Sequence, residues 1–277
     1  MRHFEPLNHR YRAIVEVVAD LGVVDRYALY ALFQRPGFQP DAIKNAIRKL
    51  KKADYLIGPI WYPSDRVMAK GAGSASEVLS LGSKGRQELG ISERRRLTSA
   101  KEVARMRSNR SRIPHELGIS AFHALIIRGR IEGLWEEEWT QPTTVTYPQG
   151  DRERRFYPDA LFSLSASGRR FQYGLEYERG NRVFGNADHT TATEKFKNYR
   201  TAIDHGSWRG WVLFLADTKR HKERLRQHCV DTLGASTAST FRFLSDEEYR
   251  ISDPKALLSP VLISSRVDNP NVALIPS

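Results

Sequence analysis

The stretch Tyr157–Glu178, "YPDALFSLSASGRRFQYGLEYE", constrains the fold more than any other part of the chain. Apolar residues alternate with polar ones through "ALFSLSA" and "RRFQYGLEYE", and Ser167-Gly168 separates the two runs. That pattern predicts two strands joined by a tight turn. Strand side chains alternate faces, so Glu176 and Glu178 point one way while Leu175 and Tyr177 point the other. With the turn near Ser167-Gly168, Asp159 falls across from about Glu176, and three carboxylates collect at one end of the hairpin. Like charges on one face repel, and burying them unpaired is costly. Two arrangements offset that cost. In one, the face is wet and Glu178 pairs with Arg179 or Arg182. In the other, a hard divalent cation, Mg²⁺ or Mn²⁺, binds the oxygens of Asp159, Glu176 and Glu178.

The flanking sequence predicts the sheet around this hairpin. "PHELGISAFHALIIRGRIEG" is amphipathic and helical, with Leu117, Phe122, Leu125 and Ile126 apolar, and "LWEEEWT" is strand-like. After the hairpin, "TTATEKFKNYRTAID" reads as a helix. "WRGWVLFLAD" reads as a buried strand because its apolar run is nearly continuous. "TKRHKERLRQHCVDTL" follows as a basic helix, and "TFRFLSD" as a last short strand. The order α-β-β-β-α-β-α-β predicts a mixed sheet flanked by helices, an α/β (α+β) fold. Residues 250–277 carry several Pro, Asn and Ser and read as an irregular tail.

The first part of the chain has a different character. Residues 1–110 hold 21 Lys and Arg against 11 Asp and Glu, whereas the rest is nearly balanced, within a net charge of +12. A basic module beside a neutral one suggests a polyanion partner. Three helices are expected here: "HRYRAIVEVVADLG", "VVDRYALYALF" with Asp25 as N-cap, and "QPDAIKNAIRKLKKADYL". The third carries an apolar stripe (Ile43, Ala46, Ile47, Leu50) beside Lys44, Arg48, Lys51 and Lys52, with Asn45 near its start. A hairpin around Pro63-Ser64-Asp65 follows. Three helices and a hairpin give the order of a winged helix-turn-helix, in which the third helix enters the major groove. Lys44, Asn45, Arg48, Lys51 and Lys52 are then the expected contacts to double-stranded DNA, with Arg66 near the wing. The bland alternative is a solvated charged face. The expected organisation is a winged helix-turn-helix over residues 1–91, a basic linker over 92–112, the α/β domain over 113–249 and the tail over 250–277.

Several function classes fall away. No apolar run approaches the ~20 residues of a membrane span, and the amino terminus lacks a secretory h-region, so a cytoplasmic protein without a membrane partner is expected. Cys229 is the single cysteine, which excludes an internal disulfide. There is no Gly-rich phosphate loop, so no nucleotide cofactor is expected. His115 and His123 lack a third ligand for zinc.

The order of these segments resembles the PD-(D/E)xK nuclease superfamily. "YPD" matches the PD element at Pro158 and Asp159, and "LEYE" matches the second element at Glu176 and Glu178, with Glu where the pattern has Lys. The longer series "SLGSKGRQEL", "PHELGISAFHALI", "PDALF", "GLEYERGN" and "EKFKNYR" is similar to the replication-relaxation family of mobile elements and to the C class of plasmid mobilisation relaxases. That resemblance covers roughly residues 8–245. It implies a winged helix joined to a nuclease core, acting as a metal-dependent nicking endonuclease or relaxase at an origin-like DNA site. Other transfer or replication proteins are possible partners. It also implies that Asp159 and Glu176 are metal ligands and that Glu178 is a ligand or water-positioning base. Lys195 would stabilise charge on the phosphate, and Glu116 would be the extra acidic residue of many members. Tyr199 is the nearest candidate for a covalent nucleophile, or else a core residue. A non-catalytic DNA-binding regulator that keeps a degenerate nuclease fold is the alternative function.

Overall fold

The computed structural model describes residues 7–34, 40–62, 76–91, 112–140, 144–180, 186–258, 262–264 and 271–275. Arg66, expected near a wing, and residues 92–111 of the linker expected over 92–112 lie outside the described residues. The chain forms two compact units, residues 1–125 and 126–277.

In the first unit, helix α1 (His9–Leu21) buries Ile14, Val15, Val17, Val18 and Leu21. This is the helical spacing expected from the sequence. Asn8 caps it by accepting from the Tyr11 N–H at 3.0 Å, and Gly22 ends it at φ 71°. Strand β1 (Val23–Asp25) follows, where the sequence suggested only the start of a helix. Its three residues are buried and pair with β3, so tertiary pairing overrides local propensity. Asp25 then caps α2 (Arg26–Phe33), as expected, accepting from the Tyr27 N–H at 2.6 Å. Helix α3 (Pro40–Lys52) buries Ile43, Ala46, Ile47 and Leu50. Strands β2 (Leu56–Tyr62) and β3 (Ser76–Leu81) complete an antiparallel sheet in the order β1-β3-β2. Helix α4 (Ser83–Glu88) follows.

Helix α5 (Arg112–Ile131) runs through the division between the units. Its early residues Ile113 and Leu117 pack with Val23 and Val78. Ser120 Oγ donates to the Leu21 carbonyl at 2.9 Å. These contacts lie within the amino-terminal unit, which ends at Leu125.

The second unit is built on a seven-stranded mixed sheet, with helices, in the order β12-β11-β10-β9-β8-β7-β4. Strand β4 (Glu136–Thr140) pairs with β7 (Ala160–Ala166), and β7 pairs with β8 (Arg169–Glu178), all antiparallel. The β7–β8 turn is at Ser167-Gly168, both at positive φ (51° and 74°), as the sequence predicts. Helix α6 (Asn186–Asp204), strand β9 (Trp211–Ala216), helix α7 (Lys219–Leu233), the short helix α8 (Ala235–Ala238) and strand β10 (Phe241–Ser245) then make β8, β9 and β10 parallel. Helices α6 and α7 pack Phe196, Tyr199, Leu225 and Cys229 on Val212, Phe214, Phe241 and Phe243.

Two parts of this unit differ from the sequence reading. Strands β5 (Val145–Gln149) and β6 (Arg152–Phe156) form a separate two-stranded ribbon that the sequence did not signal, because four of the five β6 residues are exposed and polar. The carboxy-terminal segment is not simply irregular. It contains a 3₁₀ turn (Pro254–Leu258) and the short strands β11 (Leu262–Ser264) and β12 (Asn271–Val272), which extend the sheet beside β10. Leu257 and Leu274 are fully buried, and this burial outweighs the local composition.

Candidate functional site

The site forms at the carboxyl end of β8. The register Ala160↔Leu175 places Asp159 next across from Glu176, as the spacing implied. Asp159 is held by backbone geometry: its N–H donates to the Leu175 carbonyl at 3.0 Å, and its Oδ2 accepts from the Tyr177 N–H at 2.8 Å. Glu176 is 1% exposed. Its Oε1 accepts from the Tyr199 hydroxyl at 3.1 Å. Lys195, from the facing turn of α6, lies 2.6 Å from Glu176 Oε2 and 2.7 Å from Glu178 Oε1. The buried Glu176 Oε2 therefore has the Lys195 ammonium as its direct neighbour. Glu178 and Lys195 stay about one-fifth exposed and form the open edge of the site.

The electrostatics follow from this arrangement. Burial pushes the Glu176 carboxyl above the usual carboxylate range; Lys195 opposes this, while Asp159 and Glu178 add to it. Burial works against the Lys195 ammonium, but Glu176, Glu178 and Asp159 outweigh it and hold its pKa above the ordinary lysine value. Lys195 is thus a fixed cation among three acidic side chains. Among the described residues, no group of three or more His, Cys, Asp and Glu side chains stands in a metal-holding arrangement. Carboxylate oxygens from three positions are the donor type a hard dication takes, and Lys195 already stands against two of those carboxylates.

The other expected residues have different surroundings. Tyr199 is fully buried, packed edge-on against Phe156 at 4.7 Å and against Trp208 at 5.9 Å. Burial raises its pKa well above the ordinary phenol value. That geometry is of a core residue that positions Glu176, and it does not present a nucleophile to a phosphodiester. Lys195 points inward, to Glu176 and Glu178. Glu116 and His115 are half-buried on the first turns of α5, in the first unit.

On α3, Lys44, Asn45, Arg48 and Lys52 are exposed along one side of the apolar stripe. Lys51 is different: its Nζ is 2.6 Å from Glu77 Oε1, and Arg26 Nη1 is 3.1 Å from Glu77 Oε2. This pairing ties α2, α3 and β3 together and occupies the Lys51 charge internally.

A second polar cluster, on the opposite face of β8, was missed. Asp217 and Asp246 directly follow the parallel strands β9 and β10. Asp246 accepts from the Tyr177 hydroxyl at 2.5 Å and the Tyr249 hydroxyl at 2.9 Å. Asp217 lies 3.1 Å from His221 Nδ1 and 3.1 Å from the Gly180 N–H. The available signal was an Asp ending each of two apolar runs, "WVLFLAD" and "FRFLSD". In open α/β sheets, the carboxyl ends of parallel strands are where polar groups gather.

The sequence model described as replication-relaxation matches residues 17–211, most of the chain and both units. The protein belongs to the replication-relaxation family. A solved structure, protein VC1899 from Vibrio cholerae, is similar over 90% of this chain and 56% of its own, at 14% identity and a TM-score of 0.36. This replication-relaxation protein thus spans little more than half the length of that chain. No curated protein matches it. Among the described residues, no helix is long and apolar enough to cross a membrane. Family membership points to a role in replication or in mobile-element processes.

Proposed function

We propose that this replication-relaxation protein is a DNA-binding, metal-dependent nicking endonuclease or relaxase of a mobile element, cutting a phosphodiester at or near an origin. The observation that carries this reading is the placement of Asp159, Glu176 and Glu178 with Lys195 at one strand end. The amino-terminal unit supports it. Its order of helix, strand, two helices and two strands is that of a winged helix-turn-helix, with Lys44, Asn45, Arg48 and Lys52 exposed on the third helix.

Asp159, Glu176 and Glu178 would hold Mg²⁺ or Mn²⁺. When bound, such an ion polarises a phosphate oxygen and lowers the pKa of water. The chain's own groups do the rest. The Tyr177 N–H and the Tyr199 hydroxyl fix the Asp159 and Glu176 oxygens before substrate arrives. The Lys195 ammonium, held charged by its carboxylate neighbours, opposes negative charge that develops on the phosphate. Glu178, at the open edge, orients the attacking water.

The test is nicking of supercoiled DNA carrying the cognate origin, with Mn²⁺ present. The wild-type chain nicks, and Asp159→Asn and Glu176→Gln each lose roughly 10²-fold or more of the rate while duplex binding persists. A second reading is a non-catalytic DNA-binding regulator of replication or transfer. It is favoured by Lys195 already neutralising Glu176 and Glu178, and by Glu178 standing where the nuclease pattern has Lys. Wild-type protein that binds the origin with no cleavage under any divalent cation would select it.

A further inference from the structure

The β5–β6 ribbon does not belong to the main sheet, yet its base is tied to the site. Phe156 is buried against Tyr199, whose hydroxyl bonds Glu176. The Tyr147 hydroxyl donates to Asn198 Oδ1 of α6 at 2.9 Å. Beyond that base, the turn end of the ribbon, with Asp151, Arg152 and Glu153, lines an open cleft of about 410 Å³ together with Ser207. Strand alternation sorts its charges. Glu153 and Arg155 lie on one face and pair with each other at 3.1 Å, both more than half exposed. Arg152 and Arg154 lie on the other face, the one that buries Phe156 lower down. Both are exposed, and neither has an ion-pair partner among the described residues. The next residue after Phe156 is Tyr157, 69% exposed, two positions before Asp159.

We infer that the β5–β6 ribbon is a substrate-DNA arm of the carboxylate site, with Arg152 and Arg154 on backbone phosphates and Tyr157 stacking beside the cut. A two-stranded ribbon fits the width of the major groove. Two arginines on one face, with the intervening carboxylate neutralised on the other, give that face the charge a phosphate backbone needs. An exposed aromatic between the arm and Asp159 offers a surface on which a base or sugar can stack. The short, anchored path from Phe156 to Asp159 makes the arm a positioning device: where it lies on DNA determines which phosphate meets the carboxylates.

This inference rests on the nuclease reading for its location, but its test does not depend on cleavage. In the full chain, the salt dependence of duplex binding is compared between wild type, the double variant Arg152→Ala/Arg154→Ala, and the single variant Arg155→Ala. The double variant lowers the magnitude of the log K against log [salt] slope by about 1 for each arginine, whereas Arg155→Ala leaves it within error of wild type. Tyr157→Ala weakens binding at constant slope, since stacking releases no counterions. All four side chains are exposed, so thermal unfolding stays at the wild-type midpoint. An unchanged slope in the double variant overturns the arm, whether or not the protein nicks DNA. A wild type that binds with the expected slopes but never cleaves overturns the nuclease reading alone. A wild type that does not bind duplex DNA overturns both.

Discussion

Glu176 and Asp246 sit on opposite faces of the sheet, near the same strand ends, and their burial is offset by different means. Glu176 has an ammonium 2.6 Å away. Asp246 has two phenol donors and a neighbouring carboxylate, Asp217. Burial pushes the Asp246 carboxyl up to about 6, the Asp217 charge adds to this, and Tyr177, Tyr249 and Arg179 oppose it. Burial also pushes Asp217 upward, but its bonds from His221 and the Gly180 N–H bring it below the ordinary aspartate value. The folded state holds the Asp246 proton more tightly than the unfolded chain does. Its contribution is therefore complete below the ordinary aspartate range and is lost as pH rises through about 6. Asp246→Asn abolishes that loss. Urea unfolding of the wild type should weaken by up to about 3 kcal/mol more than that of the variant across this interval. Parallel pH profiles for the two proteins would rule out Asp246 as the source.

Helix α5 shows packing overriding intrinsic preference. Alanine is favoured over glycine in a helix by about 1 kcal/mol. Yet a Cβ at Gly129 would lie 1.9 Å from Trp135 Cζ2, in a ring held by the Nε1 donation to the Ile126 carbonyl at 3.0 Å. Trp135 is 4% exposed and cannot swing into solvent without exposing its apolar surface. Gly129→Ala therefore destabilises the protein by about 2 kcal/mol in urea, against the sign of helix propensity. Adding Trp135→Leu to Gly129→Ala removes the clash, so the two changes are strongly non-additive in a double-mutant cycle.

Across the second unit as a whole, the sheet depends on its carboxy-terminal segment. Strand β11 covers the outer edge of β10, the buried Tyr173 hydroxyl donates to the Leu274 carbonyl, and the Leu274 N–H donates to the Leu257 carbonyl. Ending the chain after Asp253 exposes the β10 edge and loses the burial of Leu257 and Leu274, about 2 kcal/mol each. The Tyr173 hydroxyl is then buried without its acceptor, at a further cost. The truncated protein should melt lower and aggregate on concentration through the bared edge. Tyr173→Phe recovers part of the lost Tm in the truncated chain and lowers it in the intact one.

The β7–β8 hairpin was legible because strand alternation and the Ser167-Gly168 turn are local. They alone bring Asp159 opposite Glu176 and put Glu176 and Glu178 on one face. The apolar stripes of α1 and α3 and the Asp25 cap were legible for the same reason. The β5–β6 ribbon was not, since Arg152, Glu153, Arg154 and Arg155 carry no apolar alternation and only Phe156, Val145 and Tyr147 reach the core. Nor were β11 and β12, whose order comes from pairing of β11 with β10 and of β12 with β11. Sequence periodicity by itself determined which carboxylates share a face, because that depends on neighbours one and two residues apart. Only the tertiary structure decided that Lys195 lies between Glu176 and Glu178, that Tyr199 is buried behind them, and that Lys51 pairs with Glu77. Those contacts join residues 17 to 26 positions apart, and burial across packed elements selects them.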